Sequence, residues 1–250
     1  MQAGIGHDGG FAASPSANGM RFAGGAGTGP DDHGDFPWEA CDASSLTLWR
    51  PAPGAVVVLP AYLTLTYDYP LLVSLADCED RHQECPEWLA AVSERNYVAL
   101  SLEPRLLGTA PAWTGQSALT LGMQRYRSLL RVVDGVVPIH STRRYVVGYG
   151  DGWERAVQWF LLRPEWFSGV IVVEPRSCEP VALRCNAASV QGRPLLWLSQ
   201  PKSPTSMEGA ALIALQALGL NLQAETASEA PEIADRINRW LMSQIPTAIV

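Results

Sequence analysis

The sequence predicts an α/β protein in three layers, in which a mostly parallel β-sheet has helices on both of its faces. Two observations lead to this prediction. Short runs rich in β-branched residues alternate along the chain with longer stretches of helical period. Several of the short runs, such as residues 55–60 and 169–174, are apolar almost throughout, which is typical of parallel strands that are covered on both faces.

The alternation places the elements in order along the chain. Strands are predicted at residues 55–60, 70–75, 97–102, 144–149, 169–174 and 194–199, with a weaker one at 220–224. Helices are predicted at residues 86–94, 117–134, 152–162, 207–218 and 231–245. No internal repeat is visible and nothing suggests a second folded unit, so we expect one domain over residues 36–250.

Residues 1–35 differ in composition from the rest of the chain. They hold 10 of the 22 glycines, mixed with alanine, serine and aspartate, and almost no branched apolar side chains. Such a segment cannot bury enough apolar surface to offset its conformational entropy. We therefore predict a disordered, glycine-rich tail.

Removal of residues 1–35 should leave the melting temperature within about 2 °C of the full-length value, because no core packing is lost. Thermal melts of the truncated and full-length chains check this expectation. A larger drop would mean that the segment packs on the domain.

Charge and composition exclude several classes of function. The 25 acidic and 18 basic residues give a formal net charge of -7, which repels nucleic acid and anionic lipid, and we expect neither as a partner. Lys202 is the only lysine, so Schiff-base chemistry has almost nothing to act on. No signal peptide is indicated, and no run of about 18 apolar residues that could cross a membrane occurs.

The five cysteines are an odd number spread thinly over the chain, which argues against a disulfide scaffold and favours a reducing, cytoplasmic compartment. Cys78 and Cys85 bracket His82, and Cys178 and Cys185 repeat the same spacing. Zinc sites usually pair cysteines two to four residues apart. We therefore favour a solvated loop with semi-buried thiols over a metal site, and we expect no metal or other cofactor.

The most informative segment is a predicted strand that runs through glycines directly into a predicted helix, at residues 144–156. The glycines are Gly148, Gly150 and Gly152, with Asp151 between the last two. A strand-to-helix turn this tight requires glycines two residues before and two after its apex, because a Cβ atom at either place would collide with the sheet or the helix. Gly150 is then the apex of the turn.

This turn resembles the nucleophile elbow of the α/β-hydrolase superfamily, in particular of its small carboxylesterase-like and phospholipase-like members, whose motif is Gly-x-Ser-x-Gly. Five further segments match that superfamily in its own order, at residues 69–76, 95–100, 163–170, 193–198 and 237–241. The resemblance covers roughly residues 49–245. It implies the three-layer α/β-hydrolase fold.

The resemblance also implies that the catalytic triad is degenerate. The nucleophile position falls on Gly150, which has no side chain, although acyl transfer of this kind needs an oxygen, sulfur or carboxylate there. The acid should follow the strand at 194–199, where Lys202 or a proline stands instead. The histidine should precede the last helix, but residues 223–231 contain none. The oxyanion loop begins with Ala76 and Asp77 in an acid-rich run without glycines, which disfavours a developing oxyanion.

None of the four histidines stands where that topology would let a base reach the turn; they are His7, His33, His82 and His140. Loss of the nucleophile or the base lowers the turnover of a serine triad by on the order of 10⁶-fold. The sequence therefore predicts an esterase-like pseudoenzyme that binds a small molecule or another protein, or serves as a scaffold.

An active hydrolase with an unusual residue set is the alternative. Asp151 would be its nucleophile, as in related dehalogenases that carry a carboxylate at this turn, and Glu225 or Glu229 would activate a water molecule. Moving the apex to Asp151 would place Tyr149 and Trp153 where the flanking glycines belong. An acidic residue favoured by the positive end of the following helix is the simpler interpretation of Asp151.

Tryptophans surround the predicted helix after the turn, at Trp153, Trp159 and Trp166. Such a cluster could line a ligand pocket, although large aromatic side chains at helical spacing more often belong to the core. Both interpretations stay open at this point.

Overall fold

The structure is a computed structural model, and it describes residues 39–40, 47–75, 87–94, 96–103, 106, 116–176, 187–201 and 206–245. The predicted tail lies outside these residues, as do Ala76, Asp77 and Lys202. The two cysteine pairs and His82 also lie outside them, so the structure describes no part of the weighed metal site.

The described strands are β1 (Glu39–Ala40), β2 (Thr47–Ala52), β3 (Ala55–Leu59), β4 (Tyr69–Leu75), β5 (Val98–Leu102), β6 (Ile139–Tyr149), β7 (Gly169–Val173), β8 (Pro194–Ser199) and β9 (Asn221–Thr226). The described α-helices are α1 (Glu87–Ser93), α2 (Gln116–Asp134), α3 (Trp153–Leu162), α4 (Ala187–Val190), α5 (Ser206–Ala217) and α6 (Ala230–Ser243).

These strands form one sheet in the order β1-β2-β3-β5-β4-β6-β7-β8-β9. The pairs β1–β2, β2–β3 and β3–β5 are antiparallel. All the other neighbouring pairs, from β5–β4 to β8–β9, are parallel. The predicted mostly parallel sheet is therefore confirmed.

Helices cover both faces of the sheet, which confirms the three-layer prediction. On one face, α1 and α6 contribute buried side chains such as Trp88, Ile237 and Trp240. On the other face, α2 and α3 contribute a larger core that includes Tyr126 and Phe160. Strands β3, β4, β5 and β7 are buried along their whole length, because helices cover them from both sides.

Strand β6 begins at Ile139, five residues before the predicted start, and His140 therefore lies on this strand instead of before it. The polar residues at the start of β6 hid this extension, because they interrupt the apolar run. The sequence prediction also missed β2, which contains Pro51 and a register shift between Trp49 and Ala52. Both irregularities weaken the strand pattern.

The register places the end of β6 among the ends of its neighbours. Gly148 of β6 is opposite Leu75, the last residue of β4, and opposite Val172, the penultimate residue of β7. The turn that follows β6 therefore lies at the carboxyl edge of the parallel strands, where open α/β sheets bind their ligands.

Candidate functional site

The turn after β6 has the strand-to-helix form that the sequence predicts. Tyr149 is extended, with φ −107° and ψ 136°, and a single 3₁₀ turn over Gly150–Gly152 leads directly into α3. Gly150 has φ +58°, a left-handed conformation that side chains with a Cβ atom disfavour. Gly152 is helical, with φ −68° and ψ −12°. Gly150 and Gly152 are both buried.

The end of β6 lies very close to the start of α3 at Gly148. A Cβ atom added there would lie 2.3 Å from Cα of Trp153 and 2.8 Å from the carbonyl oxygen of Gly152. Both are backbone atoms, so no side-chain rotation can relieve the overlap. The predicted requirement for glycine two residues before the apex is confirmed.

Charged side chains flank the turn. Asp151 is exposed beside the apex, whereas Arg155, in the first turn of α3, is only 4% exposed. Burial lowers the pKa of Arg155 to about 9, so its guanidinium group stays charged at neutral pH. The sequence pattern does not mark Arg155 as a site residue, because nothing in its spacing distinguishes a buried arginine from a solvated one.

A small polar cluster, Tyr149, Glu174 and Gln200, lies at the ends of three adjacent strands, β6, β7 and β8. The Tyr149 hydroxyl donates a hydrogen bond to Oε2 of Glu174 at 3.0 Å, and Nε2 of Gln200 donates to Oε1 at 3.2 Å. Glu174 has φ +47°, which is unusual for a residue other than glycine. Strain of this kind often marks functional sites. The Tyr149 ring lies 6.2 Å from the ring of buried Trp88.

Replacing Tyr149 with phenylalanine should lower the free energy of unfolding by about 1 kcal/mol, because it removes the hydrogen bond from the Tyr149 hydroxyl to the Glu174 carboxylate. Urea denaturation of the variant beside wild type measures the change. Tyr62→Phe is the matched control, since the Tyr62 side chain is 89% exposed. If Tyr149→Phe and Tyr62→Phe lowered the free energy of unfolding by the same small amount, the hydrogen bond of Tyr149 would not stabilise the protein.

Glu225, one of the two acids considered for the alternative mechanism, lies away from the strand that leads to Asp151. Glu225 lies on β9, where its Oε2 is 2.8 Å from Nη1 of Arg236 and its Oε1 accepts a hydrogen bond from Gln223. Strands β7 and β8 separate β9 from β6, a span of roughly 14 Å. Glu229 is an exposed residue just before α6. The carboxylate of Glu225 is therefore committed to an ion pair away from the turn.

His140 lies at the opposite end of β6 from the turn. Its Nδ1 accepts a hydrogen bond from the backbone N–H of Thr142 at 3.2 Å. Gly150 is ten positions further along the chain, which is roughly 30 Å of extended chain. Among the residues that the structure describes, His140 is the only histidine, and no group of three or more metal-ligating side chains occurs. No helix in this part of the chain is long and apolar enough to cross a bilayer.

Two of the three tryptophans near the turn belong to the core. The Trp153 ring packs edge-to-face on Trp197 with centroids 5.3 Å apart, and Trp159 packs against Tyr126 at 5.7 Å. Both Trp153 and Trp159 are at most 2% exposed. The core interpretation is confirmed for these two, whereas Trp166 is partly exposed and borders a cavity elsewhere.

Comparisons with known proteins agree with the fold. No protein-family model matches the sequence, and no curated protein matches it. A ferulic acid esterase structure matches with a TM-score of 0.58 and 10% identity, over 76% of this chain and 91% of that one. An S-formylglutathione hydrolase from Agrobacterium tumefaciens matches with a TM-score of 0.54 and 11% identity, over 80% of this chain and 95% of that one.

A ferulic acid esterase from Anaeromyces mucronatus matches with a TM-score of 0.53 and 11% identity, over 76% of this chain and 84% of that one. These neighbours are esterases and related hydrolases of the α/β-hydrolase fold. The chain therefore has the α/β-hydrolase fold and resembles esterases in its architecture. At 10 to 11% identity, the similarity defines the fold alone.

Proposed function

We propose that this chain is an esterase-like protein of the α/β-hydrolase fold that does not catalyse acyl transfer and instead binds a small molecule or another protein, or acts as a scaffold. The main support is Gly150, which occupies the buried turn between β6 and α3 with φ +58°. This is the position at which the resemblance puts the nucleophile, and glycine offers no atom that could attack an ester.

The rest of the chain supports the same proposal. Lys202 stands where the resemblance puts the acid, and the loop between β9 and α6 contains no histidine. The run that starts at Ala76 and Asp77 lacks the glycines of an oxyanion loop. A serine-type reaction needs a nucleophile, a base and an oxyanion site together, and the sequence provides none of them at the corresponding positions.

Binding at the carboxyl edge is favoured by polar groups that already converge there. Tyr149, Glu174 and Gln200 form the polar cluster, and the indole of Trp88 lies beside Tyr149. Trp88 is 3% exposed, and within the described residues its Nε1–H has no hydrogen-bond acceptor. A buried donor without a partner favours a ligand that brings an acceptor to this edge.

Initial rates of p-nitrophenyl acetate hydrolysis test the proposal. We expect wild type and Asp151→Asn to give the same rate as buffer with an inert protein. A wild-type rate above that background that falls in Asp151→Asn would favour the alternative, in which Asp151 is the nucleophile. A rate above background that survives in Asp151→Asn would also contradict the proposal, because it would require another catalytic group.

We also propose that residues 36–250 form a single domain and that the protein is cytoplasmic. The first proposal is supported by the continuous sheet from β1 to β9. The second is supported by the odd, thinly spread cysteines, which suit a reducing compartment.

A further inference from the structure

A cavity of about 270 Å³ lies away from the turn, towards the amino ends of the parallel strands. Helix α2, strand β6 and the segment after α3 line this half-open cavity, and its main lining residues are Tyr126, Arg127, Arg131, Asp134, Arg144 and Trp166. Arg144 lies on β6, six residues before Gly150, which places this cavity roughly 20 Å from the turn. It is therefore a different site from the carboxyl edge.

The cavity concentrates positive charge in a protein that is acidic as a whole. Arg127, Arg131 and Arg144 contribute three guanidinium groups, and Asp134 contributes one carboxylate, which leaves two positive charges at the site. The chain as a whole carries a formal charge of -7. Within the described residues, none of these three arginines has a carboxylate within 4.0 Å.

Two buried donors at the cavity have no partner in the described part of the chain. The Tyr126 hydroxyl belongs to a side chain that is 1% exposed and has no hydrogen-bond partner, and Nε of Arg144 is buried and unpartnered as well. Burial raises the pKa of Tyr126, so its hydroxyl keeps its proton and remains a donor. Buried donors are nearly always satisfied in folded proteins, so two unsatisfied donors on residues that line the cavity favour an acceptor close to it.

Contacts with aromatic rings hold two of the residues that line the cavity in place. The Tyr126 ring stacks on Phe167 with centroids 5.6 Å apart, which holds the hydroxyl in place. Cζ of Arg127 lies 5.3 Å from the centroid of the Trp166 ring, a cation–π contact that limits the motion of this guanidinium. The donors are therefore partly pre-arranged before any ligand binds.

We propose that this cavity binds the phosphate group of a small phosphate monoester. A phosphate dianion matches the two net positive charges, and its oxygens can accept hydrogen bonds from the guanidinium groups that line the cavity. The volume of about 270 Å³ is slightly below the roughly 300 to 1,000 Å³ of most ligand pockets, which restricts the ligand to a small molecule. The proposal does not depend on the absence of catalysis at the turn.

Calorimetric titration with phenyl phosphate and with benzoate, at equal ionic strength, tests the proposal. Both probes carry the same ring, but benzoate brings a single charge. We expect phenyl phosphate to bind wild type at least 10-fold more tightly than benzoate does. Absence of binding by phenyl phosphate would overturn the proposal, and equal affinity for the two probes would overturn the assignment to a phosphate dianion.

Substitutions of single arginines test whether phenyl phosphate binds in this cavity. Arg144→Gln should raise the Kd for phenyl phosphate at least 10-fold, and Arg131→Gln, on the exposed side of α2, should weaken binding even if Arg144→Gln fails to fold. Arg239→Gln on α6 removes the same charge from the other face of the sheet and should leave the Kd unchanged. Equal losses in Arg131→Gln and Arg239→Gln would overturn the site, because they would indicate general charge attraction.

Discussion

Replacing Gly148 with alanine should lower the free energy of unfolding by about 3 kcal/mol or more, although it adds a single methyl group. That methyl carbon would stand 2.3 Å from Cα of Trp153, so either the end of β6 or the start of α3 has to move. Displacing α3 would also disturb the contact between Trp153 and Trp197. Urea denaturation followed by circular dichroism measures the loss.

Gly209→Ala is the matched control for this substitution. Gly209 lies within α5, and a Cβ atom there would meet nothing within 4 Å. Alanine is the better helix former, so this variant should be as stable as wild type or more stable by about 0.5 to 1 kcal/mol. Similar stabilities for the Gly148 and Gly209 variants would contradict the tight turn on which the resemblance rests.

Gly150→Ser should restore the side chain of an esterase nucleophile without restoring the reaction. A serine hydroxyl without a base stays unactivated, so we expect ester hydrolysis to remain at background, on the order of 10⁶-fold below an active triad. The φ of +58° at this position should cost the variant about 1 kcal/mol of stability. Hydrolysis of p-nitrophenyl acetate by the purified variant provides the measurement.

Gly150→Ala separates the hydroxyl from the backbone strain, because it brings the same Cβ atom without an oxygen. We expect the serine and alanine variants to give equal rates. Turnover by the serine variant alone would mean that a base reaches the turn, and adding His82→Ala to that variant would show whether His82 supplies it.

Most of the fold follows from the sequence because parallel strands buried on both faces leave continuous apolar runs. Strand β8 lies at the predicted residues, and β5 and β7 differ from their predictions by one residue at one end. The first half of β6 escaped prediction, because residues such as His140 and Thr142 lie on its exposed part and break the run. The order of the strands in the sheet is a tertiary property that local sequence patterns do not predict.

Some features of the candidate site can be read from the sequence, and others appear only in the folded structure. The glycines of the turn are visible in the sequence, because the backbone itself imposes them. Glu174 is not visible as a site residue, since its partners Tyr149 and Gln200 are 25 and 26 residues away and meet it only through the register of three strands. The cavity arginines were also missed, because Arg127 and Arg131 on α2 look like an ordinary solvated helix face until β6 brings Arg144 beside them.

If the chain does not catalyse acyl transfer, none of its serines should be activated, and the intact mass of wild type after incubation with a fluorophosphonate probe shows whether one is. Such probes add covalently to the activated serine of a hydrolase, and the adduct has a defined mass. We predict that the mass of wild type stays unchanged, and that Gly150→Ser also remains unlabelled. A stoichiometric adduct on any serine of wild type would show that the chain retains an activated nucleophile.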